Sequence, residues 1–259
     1  MFTRFNSKFG STKLDRAVIV SVIAMIGAVI SLVWLGWSNQ GLGSASTKAL
    51  AMASHPFGAI AIIQAVYTAI LSLLWMRYRP FKAPDGVELP KVTVVIPAFN
   101  EGPMVGRSIR SVAACDYPKD KLEVIVVDDG SRDDTFFHMQ YLRREFPDLV
   151  KLVRFPGNRG KRSALVAGFK VARGEIVVTI DSDSEILPDT IHGMVAPFLA
   201  DPKVGGVAGR VAVLNRDSPI SRMLEVQFVL AFDFGRAAQS TYRAVACCPG
   251  ALSAFRRVA

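Results

Sequence analysis

Residues 17–37, AVIVSVIAMIGAVISLVWLGW, run 21 positions without a charge, and no other feature restricts the fold of this chain as much. As a helix rising 1.5 Å per residue the segment is about 32 Å long, enough to cross the hydrocarbon core of a bilayer. A second uncharged run of 20, FGAIAIIQAVYTAILSLLWM, covers residues 57–76. Trp34 and Trp37 close the first run, and Trp75 and Tyr78 stand at the end of the second, at the depth where amphipathic rings settle. Two transmembrane helices joined by a loop over 38–56 predict a hairpin with both ends on one side of the membrane.

The basic residues give the hairpin a direction. Arg4, Lys8, Lys13 and Arg16 precede it, Arg77, Arg79 and Lys82 follow it, and the loop holds only Lys48. The positive-inside bias therefore places residues 1–16 and everything after 76 in the cytoplasm, as a multi-pass protein of the cytoplasmic (inner) membrane. A rival reading makes residues 1–46 a cleaved signal peptide, cut near Ser44-Ala45-Ser46. The first apolar run exceeds the 7 to 15 residues usual there, and the second span leaves the same domain inside in either case. Orientation thus accounts for part of the net charge of +9, and no nucleic-acid partner is expected. An apolar share of 51% excludes a disordered chain. Three cysteines, Cys115, Cys247 and Cys248, are too few for a disulfide framework.

Residues 77–91 form a linker marked by Pro80, Pro84, Gly86 and Pro90, and a βα domain is predicted over 92–259. Candidate strands are 92–97, 123–128, 150–155, 175–180 and 204–214. Their near-continuous Val and Ile runs fit an α/β fold with a mostly parallel sheet covered on both faces. The clearest helix is 188–200, where Ile191, Met194, Val195, Phe198 and Leu199 share one face.

Ligands of open α/β sheets bind at the carboxyl ends of strands, and here those ends are acidic. The first strand runs into Phe99-Asn100-Glu101, the second into Asp128-Asp129-Gly130-Ser131, the fourth into Asp181-Ser182-Asp183. Carboxylates gathered at one edge repel one another unless a cation or hydrogen-bond donors compensate. In an extended segment Asp181 and Asp183 share a face and suit one hard divalent cation, completed by phosphate and water oxygens. Alternatively, the triplet caps the helix that follows. Asp128 and Asp129 either accept hydrogen bonds from a nucleobase imide or a ribose hydroxyl, or belong to a turn built on Gly130. Lys161, in Asn158-Arg159-Gly160-Lys161-Arg162, opens a helix whose N-terminus and basic side chains would attract a phosphate; the other reading is a solvated helix start. It is not a Walker A loop, which needs four residues between the glycines and Ser or Thr after the Lys. The apolar surface over 218–236 fits either an interfacial helix or a core helix. None of His55, His138 and His192 stands in a triad or metal-site pattern.

VTVVIPAFNE (92–101), VVDDGS (126–131), NRGKRSAL (158–165), IDSDS (180–184) and CCPGALSAFRR (247–257) resemble family-two glycosyltransferases of the GT-A fold, a Rossmann-like α/β architecture. Among these they are most similar to the processive membrane synthases of hyaluronan, chitin and cellulose and the nodulation N-acetylglucosaminyltransferase. The resemblance implies a UDP-sugar donor, with Phe99 and Glu101 beside the uracil and Asp128 and Asp129 at the uridine. It further implies Lys161 on the diphosphate, Asp181 on ribose or sugar, and Asp183 holding Mg2+ or Mn2+. Cys248, Gly250 and Arg256 would line the acceptor side, the cysteines packing rather than reacting.

In the resembled synthases the base that deprotonates the acceptor belongs to an acidic motif after the GALSAFRR-like segment, followed by Gln-x-x-Arg-Trp and further membrane helices. None of these stands before Ala259, so no base is assigned. The chain is expected to be the N-terminal portion of a longer synthase, with missing helices or a C-terminal companion chain completing the channel. Three activities stay open: an inverting, metal-dependent transferase elongating a polysaccharide, a transferase with a lipid-linked polyprenyl phosphate acceptor, and a donor-binding subunit without catalysis.

Overall fold

A computed structural model describes residue 27 and residues 56–84, 86–214 and 217–257. They fall into two compact units. One gathers the described residues up to Arg79 with Ala212–Ala244, and the other holds Pro80–Val211 with the residues from Val245 on. Residues 212–244, inside the domain expected over 92–259, cluster with the first unit.

The second unit is built on a six-stranded sheet. Its strands are β1 Val92–Ala98, β2 Leu122–Asp128, β3 Val150–Arg154, β4 Ile176–Ile180, β5 Gly206–Ala208 and β6 Leu252–Arg256, in the spatial order 3-2-1-4-6-5. β1 pairs in parallel with β2 and β4, and β2 with β3. β6 lies antiparallel between β4 and β5, so the sheet is mixed. Helices α2 Met104–Ala113, α3 Thr135–Glu145, α4 Lys161–Val171 and α5 Thr190–Ala200 join the strands.

Strand alternation divides the core. Val94 and Ile96 of β1 face a cluster containing Ile109 of α2, Met139 of α3 and Val195 of α5. Val95, between them, faces Ala164 of α4 on the other side. A Cβ on Gly168 of α4 would stand 2.3 Å from Val95 Cγ1, so the absent side chain lets the helix sit close to the sheet. Both faces are covered, which explains why these strands read as unbroken apolar runs.

The strand expected over 204–214 shrinks to three residues. Gly205, Gly206 and Gly209 weaken it, and it pairs only with β6, at a sheet edge. β6, expected as a site segment, takes the place beside β4 because Ser253 and Ala254 are small and buried there.

In the first unit, α1 Pro56–Arg77 covers the expected second span. The side chains of residues 56–59 and 61 lie outside the description, and among the described residues no helix is long and apolar enough to cross a membrane. The expected first span lies outside the described residues, apart from Gly27. Helix α6 Pro219–Phe228 starts with a reciprocal cap between Ser218 and Ser221 and continues as a π-helical segment, Val229–Arg236, into α7 Ala237–Ser240. Val229 and Phe234 pack with Leu71 and Trp75. Ile220 and Met223 of α6 are 71% and 73% exposed, so within its unit the core-helix reading fits only the second half of the segment, where Val229 and Phe234 are buried.

Candidate functional site

Three loops at the carboxyl edge of the sheet are locked together by polar side chains. After β1, Asn100 and Gly102 take positive φ angles of 54° and 53°. Their backbone is held from the loop after β2: Asn100 N–H donates to Ser131 Oγ at 3.0 Å, and Glu101 and Gly102 N–H both donate to Thr135 Oγ1 at 2.8 Å. In return Asn100 Oδ1 accepts from Arg132 N–H at 2.9 Å. Asp133 accepts from Thr135 and Gly102, and these hydrogen bonds, the Thr135 hydroxyl foremost, hold its carboxyl below the usual range. The third loop joins through Asp129, whose Oδ1 accepts from Arg159 N–H at 2.8 Å. Gly130, at φ 75°, passes so close that a Cβ would stand 2.4 Å from the Gly157 carbonyl carbon.

These loops and the end of β4 enclose a cavity of about 320 Å³, lined by Pro97, Ala98, Phe99, Glu101, Asp129, Asn158, Lys161, Asp181, Ser182 and Asp183. Six residues singled out from the sequence meet here: Phe99, Glu101, Asp129, Lys161, Asp181 and Asp183. Lys161 Nζ stands 2.5 Å from Asp181 Oδ1. Asp183 is exposed, and its Oδ1 accepts only a long 3.3 Å hydrogen bond from the Ser184 hydroxyl. Among the described residues no cationic side chain pairs with it. Neither carboxylate caps α5, whose N-cap is Asp189, so the capping alternative falls away.

Asp128 is not in the cavity wall. It is fully buried, its Oδ1 accepts from Ser131 N–H at 2.9 Å, and its Oδ2 forms an ion pair with Arg154 Nε at 3.0 Å, without hydrogen-bond alignment. Here the turn reading of the Asp-Asp-Gly-Ser motif describes what the carboxylate does. On the expected acceptor side, Gly250 stands beside Lys161, since a Cβ there would be 3.5 Å from Lys161 Nζ. Asp181 N–H donates to Ala251 O at 3.3 Å. Cys248 Sγ is 3.7 Å from where a Cβ of Gly206 would stand, a packing position. Arg256 is committed elsewhere: its guanidinium donates to Val204 O and Phe198 O.

Sequence reasoning singled out neither Asn158 nor the hydroxyls that hold the loops. Ser108 is the most hidden of them, fully buried in α2, with its Oγ 2.8 Å from Ser182 O and 2.5 Å from Ser184 O. The available signal was a Ser on the apolar stripe of Val105, Ile109 and Val112.

Chemically the cavity offers carboxylates, one ammonium group and the Phe99 ring, 39% exposed. For a divalent cation the donor set fits one kind of binding. Among the described residues no three His, Cys, Asp or Glu side chains gather as a metal cluster. A hard cation that keeps most of its oxygen ligands from substrate phosphates and water needs only one or two carboxylates, and Asp183 supplies an accessible one.

Residues 93–259 match the family described as Glycosyl transferase family 2. An N-acetylglucosaminyltransferase of Rhizobium meliloti (strain 1021) is 35% identical over 211 residues, covering 78% of this chain and 49% of that protein. One of Mesorhizobium japonicum is 35% identical over 178 residues, covering 68% and 42%. The chain spans about half the length of the curated relatives it matches. Among solved structures, the mannosyltransferase PcManGT from Pyrobaculum calidifontis in complex with GDP-Man and Mn2+ aligns with a TM-score of 0.59 at 32% identity, over 81% of this chain and 55% of that one. The mixed α/β sheet is consistent with the GT-A fold. With the family match extending over residues 93–259, from β1 through β6, and six of the motif residues meeting at one cavity, the chain belongs to glycosyl transferase family 2.

Proposed function

We propose that this chain carries the donor site of a membrane-bound, inverting, metal-dependent glycosyltransferase that moves a sugar from a UDP-sugar to a growing polysaccharide. The observation that carries the reading is the Lys161–Asp181 pair beside the accessible Asp183 in one cavity at the carboxyl edge of the sheet. The N-acetylglucosaminyltransferase relatives support an N-acetylhexosamine donor, and the Mn2+ in the mannosyltransferase structure supports a divalent cation, Mg2+ or Mn2+.

In this reading Phe99 and Glu101 flank the base, and Asp129, fixed by Arg159 N–H, accepts from the nucleoside. Lys161 leaves Asp181 to meet the diphosphate, and Asp181 then accepts from ribose or sugar hydroxyls. Asp183 holds the cation, which when bound neutralises the charge that develops on the departing UDP. The group that takes the acceptor's proton is assigned to no residue of this chain.

The membrane part rests on sequence and on exposure. Ile60, Ile63, Val66, Ile70, Leu73 and Met76 of α1 are each more than half exposed, as lipid-facing side chains are, and the basic Arg77, Arg79 and Lys82 that follow support a cytoplasmic position for the residues after them. The exposed face of α6 supports an interfacial position.

The test is calorimetric titration of the detergent-solubilised chain with UDP and with UDP-N-acetylglucosamine, UDP-glucose, UDP-glucuronate and GDP-mannose, in MnCl2 and in EDTA. Tighter binding of UDP and one UDP-sugar in MnCl2 is expected. Preference for GDP-mannose, or equal affinity in EDTA, overturns the donor or the metal assignment respectively.

A further inference from the structure

Helix α2 touches the cavity at neither end of its own accord, yet it connects the two sides of it. Its N-terminus follows Gly102, so it continues directly from the loop that carries Phe99 and Glu101. One turn further on, Ser108 meets the loop after β4. Its Oγ lies 3.3 Å from Asp181 O, 2.8 Å from Ser182 O and 2.5 Å from Ser184 O. These carbonyls belong to the residues on both sides of Asp183. A hydroxyl carries one hydrogen, so a single buried donor serves an inward-turned cluster of oxygens whose dipoles otherwise repel. Ser111, one turn along, makes a contact of the opposite sense, its Oγ accepting from Ile186 N–H at 3.1 Å. The backbone of the acidic loop is thus hung on two hydroxyls of α2, and Ser108 holds the main chain on both sides of Asp183.

We propose that Ser108 is a positioning residue for the cation site. By gripping the carbonyls around Asp183 it sets the direction of that carboxylate, and through α2 it ties this direction to the base-side loop, so nucleotide and cation bind to one preformed geometry. The inference rests on the donor-site reading above and deepens it. Ser108 touches neither nucleotide nor metal; it acts through Asp183, as groups that orient metal ligands do, where their loss costs about 10- to 100-fold in metal affinity.

The experiment compares wild type and Ser108→Ala as full chains in the same detergent, measuring UDP affinity in EDTA, UDP affinity across a MnCl2 series, and the Mn2+ electron paramagnetic resonance spectrum in the presence of UDP. Ser108→Ala is expected to keep the EDTA affinity and to need about 10-fold more Mn2+ for the same gain, with a broadened spectrum. A merely structural role would lower both affinities together or neither, and either result overturns the proposal. If Ser108→Ala does not fold, Ser108→Cys, whose thiol is larger and only a weak donor, carries the same comparison and the same expected outcome. Wild-type binding that ignores MnCl2 overturns the metal assignment and this inference with it; metal-linked wild-type binding matched by Ser108→Ala overturns this inference alone.

Discussion

Lys161 Nζ stands 2.5 Å from Asp181 Oδ1, so the helix start and the strand end that the sequence places 20 residues apart close the cavity with an ion pair. The lysine is about half exposed, which leaves it free to exchange its carboxylate for phosphate oxygens. Lys161→Ala is predicted to weaken UDP binding about 10-fold or more, since a hydrogen bond to a charged group contributes about 1.5–3 kcal/mol. Calorimetry in MnCl2 checks this; unchanged affinity removes Lys161 from the diphosphate.

Asp183→Asn keeps the shape of the loop and removes a charge that is accessible and paired with no cation among the described residues. The variant is expected to melt within about 2 °C of wild type, as surface substitutions do, while losing the gain in UDP affinity that Mn2+ confers. Persistence of that gain would falsify the role given to Asp183.

Gly130 is held at φ 75° with the Gly157 carbonyl carbon 2.4 Å from where a Cβ would stand. Gly130→Ala meets both a left-handed backbone and a clash with main chain that cannot swing aside. A loss of about 3 kcal/mol is predicted, lowering Tm by roughly 6–12 °C in a chain of this size. Thermal unfolding followed by circular dichroism measures it, with Gly193→Ala, where a Cβ meets nothing within 4 Å, as the comparison.

At the opposite edge of the sheet, Glu123 accepts from Thr93 Oγ1 at 2.8 Å, from Arg173 N–H at 3.2 Å and from Lys151. Burial pushes its carboxyl up, but the bonds from Lys151, Thr93 and Arg173 outweigh burial and hold it below its ordinary value. A lowered folded pKa means the unfolded chain binds the proton first on acidification. The stability it gives is therefore complete above the ordinary carboxylate pKa and lost as pH falls through the lowered one. Urea midpoints are predicted to fall less steeply below about pH 4.3 in Glu123→Gln than in wild type; parallel curves would remove Glu123 from the acid response.

Much of this was legible because strands buried on both faces announce themselves. Val92, Val94, Val95 and Ile96 are all buried, and the first four strands stand within a residue of their expected bounds. The acidic strand ends were readable too, because a parallel sheet sends them to one edge. Asp128 turns toward Ser131 and Arg154 rather than into the cavity wall; sequence shows that a carboxylate is at the edge, not which way it turns. β6 was missed because Ser253, Ala254 and Phe255 lack a β-branched run and depend on β4 and β5, far away in sequence, for both their partners. Ser108 escaped because its partners are carbonyls, and carbonyls have no letter in a sequence.

The insertion of β6 between β4 and β5 also sets an order for synthesis. Until residue 252 leaves the ribosome, β4 has a partner on one side only, and β5, three residues long, has none. For more than seventy residues of elongation, from the end of β4 to the start of β6, the growing chain displays an open, apolar strand edge, the form that recruits foreign strands. The intervening segment of the first unit is made during that interval, so the sheet that bears the cavity is closed last, by the same stretch of chain that delivers Gly250 to Lys161.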